Sequence, residues 1–394
     1  MPQRAEIPGQ DSAPDHWPFL DLVRFGAALL VLFGHARSFV FVSIRDVPEP
    51  GLLTRAFYLV TGLHYEAVML FFVVSGFLIG GGVWTGKARG GFDLSRYLLN
   101  RFVRIYLVLL PALVLTFLVT VLGRTFLSDT RLFGLRPLPP GTAIHDGWSL
   151  GQIPCHLLSL PGVACAPWGA NPPLWSLGYE WAYYLAAPAL FAAIFGRGER
   201  LGSVTLFLAA AIIAALGALD PISLALFFAF WLMGAAASRL AAAGGVPLFV
   251  GLAGLGVCAA GLVLSRLSVL PVPLTSTLVA AGLALAVACR AITGARIFDN
   301  AAVRRGAGFS FSLYLTHLPV ALLAGALIQR LGGAGELQQP GTPAYITWTA
   351  LVAAALLAAD LFARLTEDRT AQVRRALASA FSARAPQPSI ERTP

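Results

Sequence analysis

Apolar stretches of about 20 residues recur along this chain from Phe19 to Leu365, separated by short polar connections. A helix rises about 1.5 Å per residue, so each stretch is long enough to cross a hydrocarbon core of about 30 Å. Spans are expected near 19–42, 63–83, 102–122, 174–195, 201–219, 221–241, 246–265, 268–289, 308–329 and 344–363. Backbone N–H and C=O groups surrounded by lipid must be satisfied within their own segment, so these stretches are read as helices. The pattern predicts an all-α, polytopic integral membrane protein with about ten transmembrane helices.

Composition agrees and adds an orientation. The chain is 57% hydrophobic and 12% charged, with a mean hydropathy of +0.74; soluble domains are about a quarter charged. Roughly 20 of the 28 Lys and Arg residues fall on one side when both termini are cytoplasmic, as the positive-inside bias requires. Lys87, Arg89, Arg96, Arg101 and Arg104 precede the third span, and Arg290, Arg296, Arg304 and Arg305 precede the ninth. The same bias accounts for most of the net charge of +9, and no basic stripe with interleaved aromatics points to nucleic acid.

The expected organisation is a cytoplasmic N-terminal segment (1–18), one membrane-embedded domain (19–365) and a cytoplasmic tail (366–394) whose end, from Arg384, has a disordered composition. Residues 1–18 lack the basic start and cleavage site of a secretory signal, so the first span is expected to remain as an anchor. The longest connection, 123–173, lies outside in this orientation. Its Cys155 and Cys165 would face an oxidising compartment, where a disulfide strut and two free thiols are both open readings. Cys258 and Cys289 sit in apolar runs as small core residues, and no Cys/His spacing resembles a metal site.

Chemistry enters with the first span. Arg24 and His35 are eleven residues apart, close to three helical turns, and Asp21 falls near the same stripe. An acid, a guanidinium and an imidazole therefore share one face of a helix that is otherwise Leu, Val, Ala and Phe. Ionisable groups at membrane depth cost about 2.5–3.5 kcal/mol each and usually line a pathway or a site.

Four further segments carry polar groups. Phe71–Gly80 interrupts an apolar helix with Ser75-Gly76, either for close helix packing or to bring backbone near a substrate. Arg101 and Arg104 share a face at a span's cytoplasmic end, either snorkelling to headgroups or gripping phosphate with their guanidinium forks. Trp175 to Glu180 places a carboxylate at the start of a span with Tyr183 and Tyr184 one turn on; an aromatic belt accounts for the rings but not for the acid. Ser310 to His317 puts Tyr314 and His317 on one face, as packing residues or as part of a site.

In this order the segments resemble the acyltransferase 3 family of integral-membrane O-acyltransferases, from about Leu20 to Glu367. Leu20-Asp21-Leu22-Val23-Arg24 through Phe33-Gly34-His35 is similar to its first-helix signature, and Phe71-Phe72-Val73-Val74-Ser75-Gly76-Phe77 to its Phe-Phe-x-x-Ser-Gly-Phe block. Arg101-Phe102-Val103-Arg104 fits Arg-x-x-Arg, Trp175-Ser176-Leu177-Gly178-Tyr179-Glu180 fits Trp-Ser-Leu-x-x-Glu, and Tyr314-Leu315-Thr316-His317 fits Tyr-Leu-x-His. The chain departs from the pattern at Met69, where a polar or acidic residue is frequent, at Trp181-Ala182 in place of Glu-Gln, at Thr316 in place of Trp, and after Glu367, where Asp368-Arg369 lacks the common proline.

The resemblance implies a multi-pass protein of the cell inner membrane that transfers an acyl group, usually acetyl, from cytosolic acyl-CoA to a hydroxyl of a carbohydrate or other acceptor at the outer face, as in O-acetylation of surface polysaccharide. It implies acyl-CoA as donor and no metal. His35 and Glu180 are then expected to be catalytic, and Arg24, Arg101 and Arg104 to hold the donor. Asp21, Ser75, Gly76, Trp175, Tyr184, Tyr314 and His317 are expected to line the substrate. The partners implied are membrane lipid, acyl-CoA and the acceptor. His35 as general base and an acyl-histidine intermediate are both open mechanisms. A transporter or flippase of a lipid-linked sugar, with the buried Arg, His and Glu as its binding or proton-relay site, is the rival reading.

Overall fold

The structure, a computed structural model, describes residues 17–134, 150–195, 200–332 and 336–383. Most of the expected N-terminal segment, the middle of the 123–173 connection and the tail from Arg384 lie outside the described residues. What is described is helical, with two isolated β-bridges and no strands.

In chain order the helices are α1 (Pro18–Val40), α2 (Leu52–Thr61), α3 (His64–Ser75), α4 (Gly81–Arg89), α5 (Leu94–Phe126), α6 (Ile153–Leu157), α7 (Leu174–Phe195), α8 (Arg200–Gly217), α9 (Pro221–Ala242), α10 (Leu248–Leu267), α11 (Val272–Ala288), α12 (Arg290–Thr293), α13 (Ala301–Gly332), α14 (Thr342–Leu365) and α15 (Thr370–Ala383). A π-helical turn, Gly76–Gly80, joins α3 to α4.

Each expected span coincides with helix, but length and apolar composition single out seven candidate spans among the described residues. These are Pro18–Val40, His64–Arg89, Leu94–Phe126, Pro221–Ala242, Leu248–Leu267, Ala301–Gly332 and Thr342–Leu377. An eighth results if α11 and the segment Arg290–Phe298 count together, although the chain bends by 82° between them.

Local chemistry sets the helix ends. Pro221 begins α9, where its missing N–H costs nothing, and Asp220 caps it by accepting the Ser223 N–H at 3.0 Å. That bond holds the Asp220 carboxyl below its usual range. Asp93 caps α5 in the same way through the Arg96 N–H. Pro111, Pro188 and Pro319 lie inside α5, α7 and α13, as membrane helices tolerate where neighbours re-satisfy the freed carbonyls.

The contacts divide the chain into two units. The first comprises residues 1–37, 43–90 and 179–310, with α9 packed on α3, the π-helical turn, α4 and α11, and α10 paired with α11. Lipid offers no hydrophobic drive between helices, so association relies on close packing of small residues. Gly251, Gly254, Cys258 and Gly261 are accordingly the buried residues of α10, and a Cβ on Gly254 would stand 2.7 Å from the Gly282 carbonyl oxygen of α11. The second unit comprises 38–42, 91–178 and 311–394. In it α15 packs on α5, and Gln338 pairs with the 38–42 segment through the Val40 carbonyl and the Val42 N–H. A disulfide joins Cys155 to Cys165, while Cys258 and Cys289 are buried free thiols.

Candidate active site

The polar stripe of α1 is a real face of the first unit. Arg24 pairs with Asp21 one turn earlier at 3.8 Å and donates to the Ser310 hydroxyl at 3.3 Å, with both charged side chains about one-quarter exposed. His35 meets a second imidazole, His64 at the start of α3, with ring centroids 5.4 Å apart and planes inclined by 49°. Gly34 permits this approach, because a Cβ there would lie 2.8 Å from the His64 Cβ and from the Thr61 carbonyl oxygen. Arg37, in the last turn of α1, stacks over the Tyr58 ring at 4.9 Å. Sequence reasoning missed His64 and Arg37. The only available signal was Arg37 following His35 by two residues, and nothing local pairs α1 with His64.

A second polar group centres on Glu180. Its Oε1 accepts from the Ser75 hydroxyl at 2.8 Å and from the Tyr184 hydroxyl, and the Trp231 indole N–H donates to Ser75 Oγ at 3.1 Å. Ser75 closes α3 at the π-helical turn, a distortion often found at functional sites. Gly76 faces a helix: its Cβ would sit 1.8 Å from the Trp231 carbonyl oxygen, and across the contact a Cβ on Gly234 would sit 2.0 Å from the Val73 carbonyl oxygen. Of the two readings open in the sequence, this geometry is the close-packing one. The Ser-Gly pair brings α9 close enough for Trp231 to reach Ser75.

In the second unit, Arg101 and Arg104 lie on α5, and Arg104 already has a partner. Its guanidinium donates to Glu367 Oε1 at 2.5 Å and stands over the Phe311 ring at 5.3 Å. Glu367 Oε2 accepts from both the N–H and the hydroxyl of Ser312, each at 2.9 Å. Tyr314 shares a hydrogen bond with Ser176 at 2.7 Å and donates to the Pro173 carbonyl at 3.1 Å. His317 is buried, with Nδ1 facing the Leu313 and Tyr314 carbonyls of its own helix at 3.0 and 2.8 Å. Trp175 is half-buried, its Cβ 2.7 Å from where one on Gly162 would stand. Asn171, fully buried and unremarked in the sequence, donates to Thr116 Oγ1 and the Leu315 carbonyl.

Chemically, the first unit offers an imidazole beside a second imidazole, an Arg–Asp pair, and a carboxylate fixed by the Ser75 and Tyr184 hydroxyls, with Ser75 held in turn by the Trp231 indole. The second offers the Arg104 guanidinium, paired with the buried Glu367 carboxylate, and Arg101 one turn earlier on α5. Among the described residues no group of three His, Cys, Asp or Glu side chains is arranged to hold a metal ion.

Comparison with known proteins matches residues 17–364 to the family model described as an acyltransferase domain. Over 175 residues the chain is 31% identical to a protein named acyltransferase MdmB from Streptomyces mycarofaciens, a stretch covering 43% of this chain and 38% of that protein. No solved structure matches significantly.

Proposed function

This chain belongs to the acyltransferase 3 family, and from that premise we propose that it moves an acyl group, acetyl first among candidates, from cytosolic acyl-CoA to a hydroxyl of a carbohydrate-type acceptor at the outer side of the cell inner membrane. About ten spans with both termini cytoplasmic complete the proposal. The basic residues before the third and ninth spans support that orientation. The Cys155–Cys165 disulfide suits a loop facing an oxidising compartment.

The observation that carries the reading is His35 on the polar face of α1, with Asp21 and Arg24 turns below it. In the proposed reaction the neutral His35 imidazole takes the proton of the attacking hydroxyl as its oxygen bonds to the thioester carbon. The C–S bond then breaks, and the imidazolium returns the proton to the departing thiolate, leaving free coenzyme A. Arg101 and Arg104 hold donor phosphates, with Arg104 exchanging Glu367 for phosphate oxygens. Arg24 supports the donor's charge from α1. Glu180, anchored by Ser75 and Tyr184, orients the acceptor hydroxyl.

The test is acetyl-CoA binding and turnover by the purified protein in detergent. Wild type should bind, the Arg101→Ala/Arg104→Ala double variant should bind at least about tenfold more weakly, and His35→Ala should bind normally but lose about 10²–10⁴-fold in acyl transfer or thioester hydrolysis. Well-folded His35→Ala protein with full turnover would sink the reading.

A further inference from the structure

Beside His35 the first unit gathers positive charge without an acid to balance it. Arg37 occupies the last turn of α1 and Arg266 the last turn of α10. Arg266 is exposed, and its Nε comes within 2.8 Å of where a Cβ on Gly62 would stand, two residues before His64. Both guanidiniums act electrostatically on the His64 ring, and they act on each other. Among the described residues neither forms an ion pair. Glu66, two residues further along α3, is buried with Oε2 unpartnered among the described residues, but it is not among the charges acting on the His64 ring or on Arg37. Among the described residues Arg37 Nε is a buried nitrogen with no hydrogen-bond partner, and the His64 ring finds only the Thr61 carbonyl of its own turn.

An arginine at a helix C-terminus is favoured by the helix dipole, and that accounts for each cation separately. It does not account for two of them acting on one imidazole, nor for the buried Arg37 nitrogen left unmatched, which costs free energy until an acceptor arrives. An oxyanion meets all of these needs, because guanidinium forks pair with phosphate and carboxylate oxygens.

We propose that Arg37, His64 and Arg266 form the acceptor's anion subsite: the acceptor carries a phosphate or carboxylate, which this cluster holds while a neighbouring hydroxyl is presented to His35. The inference rests on the acyl-transfer reading and narrows its acceptor to anionic compounds. In the topology proposed above, the ends of α1 and α10 face outward, the side from which that acceptor arrives.

The experiment uses the full chain in a maltoside detergent, which carries no phosphate, and follows its melting midpoint on titration with inorganic phosphate against chloride at equal ionic strength. Wild type should show a saturable rise of at least about 2 °C that chloride does not reproduce. Arg266→Ala and Arg37→Gln, each compared with its own unliganded midpoint, should lose that rise, and Arg266→Lys should keep part of it. No rise in wild type, or an equal rise in all variants, overturns the proposal. A second arm adds phosphatidylglycerol. Persistence of the phosphate response supports an acceptor group, whereas its suppression assigns the cluster to bulk lipid headgroups and overturns the proposal. Acetyl-CoA binding by wild type is measured separately: its failure sinks the acyl-transfer reading and leaves the phosphate result standing.

Discussion

The Arg104 guanidinium donates to Glu367 at 2.5 Å although 263 residues separate the two in the chain. Glu367 is almost wholly buried and its other oxygen is taken by Ser312, so one carboxylate fastens α5 and α13 to the segment following α14. Glu367→Ala strands a guanidinium and a backbone N–H at once and is expected to cost about 2–4 kcal/mol. Glu367→Gln keeps an acceptor for Ser312 and should cost less. Thermal melts of the two variants in detergent check the order.

Glu180 permits a cleaner separation of stability from chemistry. A glutamine carbonyl can accept the same bonds from Ser75 and Tyr184 that the carboxylate accepts. Glu180→Gln should therefore melt within about 2 °C of wild type, since less than about 1 kcal/mol is at stake. If the negative charge orients the acceptor, turnover should fall by about 10²-fold at unchanged acetyl-CoA affinity. Unchanged turnover would make the carboxylate a packing group.

How much of this was legible beforehand follows from where the information lies. Hydropathy placed helices at every expected span, and helical spacing put Asp21, Arg24 and His35 along one helix and Glu180 against Tyr184, because those relations are local. Ser75 with Glu180, Trp231 with Ser75, His64 with His35 and Glu367 with Arg104 are tertiary pairs, and no periodicity within a helix encodes which helix will face it. Gly76 was ambiguous for a related reason: a small residue admits either a neighbouring helix or a ligand, and only the Trp231 carbonyl at that spot distinguishes them. Length and hydropathy mark seven or eight of these helices as candidate spans among the described residues, and the full ten suggested by the runs of apolar letters stays part of the proposal.

The close approach at Gly76 has its own test. A methyl there would overlap the Trp231 carbonyl, and backbone on both sides cannot move aside without separating α9 from the π-helical turn. Gly76→Ala should cost at least about 3 kcal/mol, seen as lost monodisperse protein or a lowered melting midpoint. Gly82, on α4, has open space where its Cβ would go. Gly82→Ala should fold normally, which separates overlap from any general effect of removing a glycine here.

His156 gives a pH dependence whose sign can be worked out. It lies on α6 in the connection between spans, almost fully buried and stacked on Trp168 at 4.8 Å between centroids. The Trp168 backbone N–H donates to Nε2 at 2.9 Å, so the ring is neutral with its proton on Nδ1, directed at the Gln152 carbonyl 3.0 Å away. Burial lowers its pKa below the usual 6.5, and the Gln152 bond offsets only part of that. The folded state thus binds a proton less readily than the unfolded chain. Its contribution to stability is complete above about pH 6.5 and is lost as pH falls through the lower, folded-state value. With the disulfide kept oxidised, the melting midpoint of wild type should drop between pH 7 and pH 5 by more than that of His156→Gln, which can accept the Trp168 N–H but does not titrate. Parallel pH profiles for the two proteins would show that the ring protonates in the folded state without penalty.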